Sequence, residues 1–249
     1  MNYPILKERD NLPAAGVLQK LLNRAGASLR VDGLFGPATL AALLQFQENQ
    51  RLPQSGLVDE ATWAALAAGV SLPILDCIDF WDPELYALEP EQLRRLARKN
   101  LPAAGDCGSV EELVEAICGR NRNVFLFRVH GLDMAQLHTA VPPERILRVT
   151  GRLRGIFGPY GCVHFLNCRT GRGADGRGTL ARIAAELGVP ASAGLHDQLA
   201  GGLEARRFEG WTVTVMPGKG TLAQWCDSRP EFVESHQPAI GPSEDVSVC

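Results

Sequence analysis

The stretch DGLFGPATLAALLQFQ, residues 32 to 47, returns in shortened form as SGLVDEATWAALAA, residues 55 to 68. Gly33 matches Gly56, Thr39 matches Thr62 and Leu43 matches Leu66 at one constant offset. Such a repeat demands the same local structure twice, which narrows the possible folds more than any other feature of the chain. In each copy a glycine able to take the positive φ of a tight turn precedes apolar residues at helical spacing. Ahead of the copies, AAGVLQKLLNRAG reads as an amphipathic helix, with Val17, Leu18, Leu21 and Leu22 on one side and Gly26 as its stop signal. Three short helices around one small core are predicted for residues 14–69, behind an extension over residues 1–13.

These residues resemble the peptidoglycan-binding domain appended to many bacterial cell-wall hydrolases. The likeness is carried by Leu18-Gln19, Asp32-Gly33-x-Phe35-Gly36-x-x-Thr39, Phe46-Gln47, Gly56 and Thr62-Trp63. It implies binding of bacterial wall or a similar repeating glycan-peptide polymer, with Asp32, Gly33, Phe35, Thr39 and Trp63 as candidate ligand residues. The alternative role for those side chains is to hold the helices together, since so small a domain needs its aromatic residues for packing.

Beyond AALAAGVSLP the pattern changes. ILDCIDFWDPELY starts as a β-like run and ends in a turn at Asp82-Pro83, so a second domain is expected over residues 70–228. Strands are predicted at residues 72–79, 123–129, 162–167 and 189–194, with a hairpin or final pair of strands over 206–217. Helices are predicted at residues 89–99, after Ser109 with its capping-box Glu112, and at 143–157 and 179–188. Strands separated by helices argue for an α/β domain with a mostly parallel sheet covered on both faces. The stretch after Arg229, rich in Pro, Ser and Glu, reads as a mobile tail over 229–249.

Two of these strands stop on reactive residues. FRVHG ends its apolar run at His130, and HFLNC ends at Cys168. Reactive groups in parallel sheets gather at the carboxyl ends of strands, and a strand–crossover–strand connection makes neighbours of consecutive parallel strands. A thiolate at Cys168 could attack an amide carbonyl while His130 protonates the departing amine. The backbone N–H groups of Gly131 and Cys168 are candidates for an oxyanion hole. Asp76 and Asp79, read as lying near the end of the first strand, are candidates to orient His130, or turn-capping carboxylates. Arg169 and Arg172 are candidates to lower the thiol pKa or to hold a substrate carboxylate, and CRTGRG (168–173) to form a flexible rim. His164 reads as a core or edge histidine, while His138 and His196 follow loops. PGKG (217–220) is a turn without phosphate-loop spacing.

At Val129-His130-Gly131 and Leu166-Asn167-Cys168 the chain resembles the caspase-like cysteine peptidases, the group that includes caspase, clostripain-like and gingipain-like enzymes. The likeness runs over most of residues 72–225 and extends to an uncharacterised bacterial group attached to wall-binding modules. It implies the caspase-like α/β fold and a Cys/His hydrolase. LDMAQLH after Gly131 lacks the further glycines or acidic residues that often shape the pocket in active members.

Composition limits the alternatives. A net charge of -3 and a pI near 6.0 argue against a nucleic-acid or anionic-membrane partner. Seven cysteines without a Cys-x-x-Cys pair read as mostly reduced core thiols, and neither a metal nor another cofactor is called for. MNYPILKERDNLP carries charges and prolines where a signal peptide needs an apolar run. Cytoplasmic synthesis is therefore expected, with a specialised secretion machine or lysis as the route to a wall. The expected function is a cysteine hydrolase acting on amide bonds of peptidoglycan stem peptides or of a wall-associated protein, as an injected antibacterial effector. Two alternatives are a wall-binding scaffold with a degenerate caspase-like domain and a peptidase acting on a cytosolic protein. An immunity or secretion partner is left open.

Overall fold

The computed structural model describes residues 4–71, 76–81, 124–130, 154–166, 170–196 and 207–234. A helical amino-terminal region is followed by a small mixed sheet with helices. Helix α1 (Pro13–Arg24) and helix α2 (Pro37–Asn49) each open on a proline, whose missing N–H is no loss in a first turn. Helix α3 (Glu60–Leu66) is capped by Asp59, whose carboxylate accepts from the Thr62 N–H at 2.8 Å.

The repeat is built around a glutamine lock used twice. Gln19 of α1 donates to Asp32 Oδ1, the Leu34 carbonyl and Thr39 Oγ1, and its own carbonyl accepts from the N–H groups of Asp32 and Gly33 at 2.9 Å. Gln47 of α2 does the same one unit later: it donates to the Leu57 carbonyl at 2.9 Å and to Thr62 Oγ1 at 3.2 Å, and accepts from Gly56 N–H. Each buried amide thus ties a helix to the following turn and to the threonine of the next helix. Removing it would strand several buried polar groups at once.

Strand β1 (Val70–Ser71) is short, and the main sheet then runs β2 (Asp76–Trp81), β3 (Val124–His130), β4 (Phe157–Phe165), β5 (Ala191–Gly194), β6 (Thr212–Val215) in spatial as in chain order. The first four are parallel and β6 is antiparallel to β5. Helix α4 (Gly173–Leu187) connects β4 to β5 and buries Leu180, Ile183, Ala184 and Leu187; it ends at Gly188, whose φ of +73° is the left-handed cap that glycine favours.

Several expectations are corrected. Of the helix predicted over 143–157, residues 143–153 lie outside the described residues, Arg154–Ile156 form a 3-10 turn, and β4 begins at Phe157 rather than at Cys162. Pro159 and two glycines oppose a helix there, and the strand bulges: Val124 pairs with Phe157, but Leu126 with Cys162. The predicted hairpin over 206–217 contributes the single strand β6. The helix predicted from 179 starts at Gly173. The helices expected at 89–99 and after Ser109 lie outside the described residues.

The largest correction concerns the two parts of the chain. Helix α1 was expected to bury one stripe, yet Pro13 through Leu22 are buried without a break, Gln19 and Lys20 included. Its second side is covered by helix α5 (Leu222–Asp227) and by β4. Tyr160, Cys162, Leu166 and Phe208 consequently belong to the same apolar core as Leu18, Phe35 and Trp63. The supposed tail closes this seam at its near end. Arg229 lies 4.0 Å over the Trp225 ring and donates to the Pro159 carbonyl at 3.1 Å, Tyr160 donates to the Pro230 carbonyl, Lys20 pairs with Glu231, and Phe232 stacks on Tyr160. Strand β7 (Val233–Glu234) then pairs antiparallel with β1. The polar composition of this stretch predicted mobility, but Arg229, Pro230 and Phe232 find partners on both sides of the seam. Residues 235–249 lie outside the described residues.

The closest approach in the seam is at Gly16, where a Cβ would stand 2.5 Å from Cys226 Sγ and 2.8 Å from Cys226 Cβ. Alanine in the middle of a helix ordinarily stabilises by about 1 kcal/mol over glycine. Here the clash reverses the sign: Gly16→Ala is expected to destabilise by about 1–3 kcal/mol in urea denaturation. Cys226→Ala should recover part of the loss in the double variant, because it removes the nearer of the two atoms. Additive effects in that cycle would show that α1 and α5 do not meet as described.

Candidate functional site

The carboxyl ends of the parallel strands form one edge of the sheet. Strand β3 ends at His130, opposite Trp81 of β2, and Val129 stands opposite Phe165 of β4. The strand ending on His130 therefore runs directly beside the strand that leads, three residues past Phe165, to Cys168. Gly131, Cys168 and Arg169 lie outside the described residues, as does His138. The chain resumes at Thr170 and Gly171, and Gly171 N–H donates to the Gly194 carbonyl at the end of β5 at 3.0 Å. A Cβ on Gly171 would be 2.4 Å from Val213 Cγ1, and one on Gly176 would be 2.3 Å from the Thr170 carbonyl oxygen. Within CRTGRG, expected as a flexible rim, Gly171 is therefore closely packed, whereas Arg172 and Gly173 are exposed. Arg172 is exposed at the N-cap of α4.

The two acidic candidates separate. Asp79 pairs with Arg128, two positions short of His130, whereas Asp76 opens β2 opposite Val124. At about 3.3 Å per residue, five residues put Asp76 roughly 16 Å back along the strand from the level of His130. The expected strand begins at residue 72, whereas β2 begins at Asp76, which moves this residue from the middle of the strand to its start. His196 lies two residues past β5, exposed, with its ring against Gly210; a Cβ there would meet His196 Cδ2 at 2.6 Å. Histidines therefore follow the strands on both sides of β4. His164 is different: it is 1% exposed, with Nε2 3.9 Å from Cys162 Sγ and its ring tilted against Phe208 at 5.2 Å. No substrate reaches that pair. The Cys226 thiol is likewise buried and pushed up to about 12 by desolvation, so it carries no thiolate at neutral pH.

The candidate ligand residues of the helical region face inward. Phe35 is fully buried, Trp63 is 1% exposed with its Nε1 donating to the Pro4 carbonyl at 2.8 Å, and Thr39 is held in the Gln19 lock. Gly33, at φ +75°, lies under Leu222 of α5, 2.8 Å from where its Cβ would be. Asp32 is half-buried, with Oδ1 accepting from Gln19 and from Leu34 N–H. Phe35, Thr39 and Trp63 pack within the helical region, and Gly33 meets α5 across the seam. Leu34, 46% exposed, is a large apolar side chain that these turns present to solvent.

The sequence reading missed a polar cluster at the seam. Asp10 is fully buried, its carboxylate accepting from Lys7 N–H at 2.9 Å and from Lys7 Nζ at 3.3 Å. Burial raises its pKa to about 6, against the lowering pull of Lys7 and Arg207. Arg9 stands 5.4 Å from the ring centroid of Trp211, and Lys7 Nζ donates to the Gly210 carbonyl at 3.3 Å. Charges in KERD look like ordinary surface charge, and Lys7 and Arg9 meet Gly210 and Trp211 far along the chain, so no local pattern announces the cluster. Among the described residues no group of three or more His, Cys, Asp or Glu could hold a metal ion, and no helix is long and apolar enough to cross a membrane.

Residues 12–66 match the family described as "Putative peptidoglycan binding domain". A protein of Kitasatospora aureofaciens, described as "Uncharacterized protein in bpoA1 3'region", is 42% identical over 65 residues. That match takes in 25% of this chain and 55% of the relative, so the chain spans about half the length of the curated relative it resembles. Among solved structures, the crystal structure of the Burkholderia AP3 phage endolysin is 29% identical, with 38% of this chain and 32% of that one covered at a TM-score of 0.26. Superposition at that level carries no weight for the fold. The family match gives residues 12–66 as a peptidoglycan-binding domain and reaches no further along the chain.

Asp10 gives the seam a pH dependence of definite sign. Its folded pKa, about 6, exceeds the ordinary 3.8, so folding favours the protonated acid. The stability it contributes is full below about pH 4 and is lost as pH rises through about 6, a change on the order of 2–3 kcal/mol. Asp10→Asn should remove this component. Urea denaturation of both proteins between pH 4 and 7 should show the native protein losing stability relative to the variant, and parallel curves would refute the assignment.

Proposed function

We propose that the chain is a cell-wall-directed cysteine hydrolase of caspase-like type, in which the peptidoglycan-binding domain holds the polymer and the sheet edge cuts an amide bond in a stem peptide or a wall-associated protein. The observation that carries this reading is the placement of β3 and β4 side by side and parallel, Val129 opposite Phe165, so that His130 and the segment containing Cys168 leave the sheet at the same edge. Cys168 attacks the carbonyl carbon and His130 passes a proton to the departing amine. Water, deprotonated by the same imidazole, then releases the acyl group and restores the thiol. The N–H groups of Gly131 and Cys168 steady the oxyanion. With Asp76 far along β2, the pair works without a carboxylate from the start of that strand. Arg172, exposed at the head of α4, and Arg169 are placed in the chain to meet a stem carboxylate.

Purified protein incubated with sacculi should release new amino termini, and Cys168→Ala and His130→Ala should each lower the rate by about 10²–10⁴-fold. In the same preparation, iodoacetamide should label Cys168 faster than the buried Cys162 and Cys226. Sacculus binding with no release and no preferential labelling would leave a wall-binding scaffold in place of the hydrolase. Release that persists in Cys168→Ala would move the chemistry to another residue.

A further inference from the structure

The two large apolar side chains that stand most open to solvent among the described residues are Leu34, at 46%, and Trp211, at 51%. One belongs to the peptidoglycan-binding domain and the other precedes β6, yet they flank a single short segment. Asn11 forms an antiparallel bridge with Leu34 on one side. On its other side Asn11 N–H donates to Thr212 Oγ1 at 2.8 Å, and the Asn11 carbonyl accepts from Thr214 Oγ1 at 2.5 Å. Asn11 thus lies between the Leu34 turn, which it meets through a backbone bridge, and β6, which it meets through two threonine hydroxyls.

The same segment supplies positive charge. Arg9 holds a left-handed φ of +79°, an unfavourable conformation for a long side chain, and is fixed there by its N–H to the Phe35 carbonyl at 2.8 Å. Its guanidinium lies 5.4 Å from the Trp211 ring, within cation–π range, while half of the indole stays in water. Trp211 also marks a definite place on the sheet. Its carbonyl accepts from Leu195 N–H at 2.9 Å, and Thr212 pairs with Gly194 at the carboxyl end of β5. The aromatic face therefore lies at the very edge where His130 and the Cys168 segment emerge, two strands over from β4.

We infer that Arg9, Leu34 and Trp211 form a second peptidoglycan subsite on the seam, outside the inward-facing residues of the family motif, which leads a glycan strand from the binding domain to the sheet edge. The apolar faces of N-acetylated sugar rings stack on Trp211 and Leu34, and Arg9 pairs with a carboxylate of the stem peptide. The subsite rests on the proposed reading of peptidoglycan as the substrate.

The test uses the full chain carrying Cys168→Ala, so that the polymer is not consumed, in co-sedimentation with intact sacculi and in titration with soluble glycan chains stripped of peptide. Trp211→Ala should weaken both interactions about tenfold or more, and Trp211→Phe should restore most of the loss. Arg9→Asn, which keeps a residue tolerant of the left-handed backbone, should weaken binding to sacculi and leave the peptide-free chains unaffected. If Trp211→Ala has the circular dichroism of the parent and binds both polymers as the parent does, the subsite is wrong while the wall reading stands. If the parent itself does not sediment with sacculi, peptidoglycan as the substrate fails and the subsite fails with it.

Discussion

The structure depends on the near-contact of two helices at Gly16. A helix with ten consecutive buried residues cannot be an outer element of a three-helix domain, because one side of it would then face water. Helix α1 is instead the central element of a core shared by the helical region and the sheet. The absence of a side chain at Gly16 lets α5 approach until Cys226 sits in the gap. That approach brings Leu222 over Gly33 and carries the following residues across Tyr160. The glycine that ought to weaken the helix by its entropy is what allows the helix to be buried on both sides.

This arrangement changes what the binding domain means for the rest of the chain. A domain on a flexible linker raises the local concentration of its ligand but does not orient it. Here the Asn11 N–H bond to Thr212, the Thr214 hydroxyl bond to the Asn11 carbonyl, the Lys20–Glu231 pair and the pairing of β1 with β7 hold the helical region on the rest of the chain. A polymer gripped by the turns of the repeat would arrive at the sheet edge at a fixed offset. On the proposed reading, which bond lies near Cys168 is then decided by the docking geometry as well as by the pocket.

Legibility followed the range of the interactions. The repeat, α1 to α3, and the parallel pair β3 and β4 could be read because helical spacing, turn glycines and apolar runs act over a few residues. Phe35, Thr39 and Trp63 were recognisable as special, but whether they face a ligand or the core depends on packing that no spacing encodes. The glutamine locks were half visible. Gln19 and Gln47 were noticed, but Gln19 precedes its turn glycine Gly33 by 14 residues and Gln47 precedes Gly56 by 9, so the constant offset that exposed the repeat passed them by. Arg9 and the Arg229–Glu234 strap depend on partners far away in the chain. The strap was misread because composition reports average solvation, while Tyr160 and Trp225 supply partners for its arginine and phenylalanine.

The same reasoning separates the cysteines. A thiol reacts only where water and a positive environment favour its anion. Cys162, fully buried beside His164, and Cys226, sealed against Gly16 with its pKa pushed to about 12, have neither access nor a reason to ionise. Cys168 occupies a different position in the chain, past the end of a parallel strand and five residues ahead of the first residue of α4. The amino end of a helix favours negative charge, and His130 ends the adjoining strand. Among the cysteines whose side chains are described, burial denies the nucleophile's role to both Cys162 and Cys226, and the seam that seats the binding domain is what seals Cys226; on the proposed reading the role belongs to Cys168.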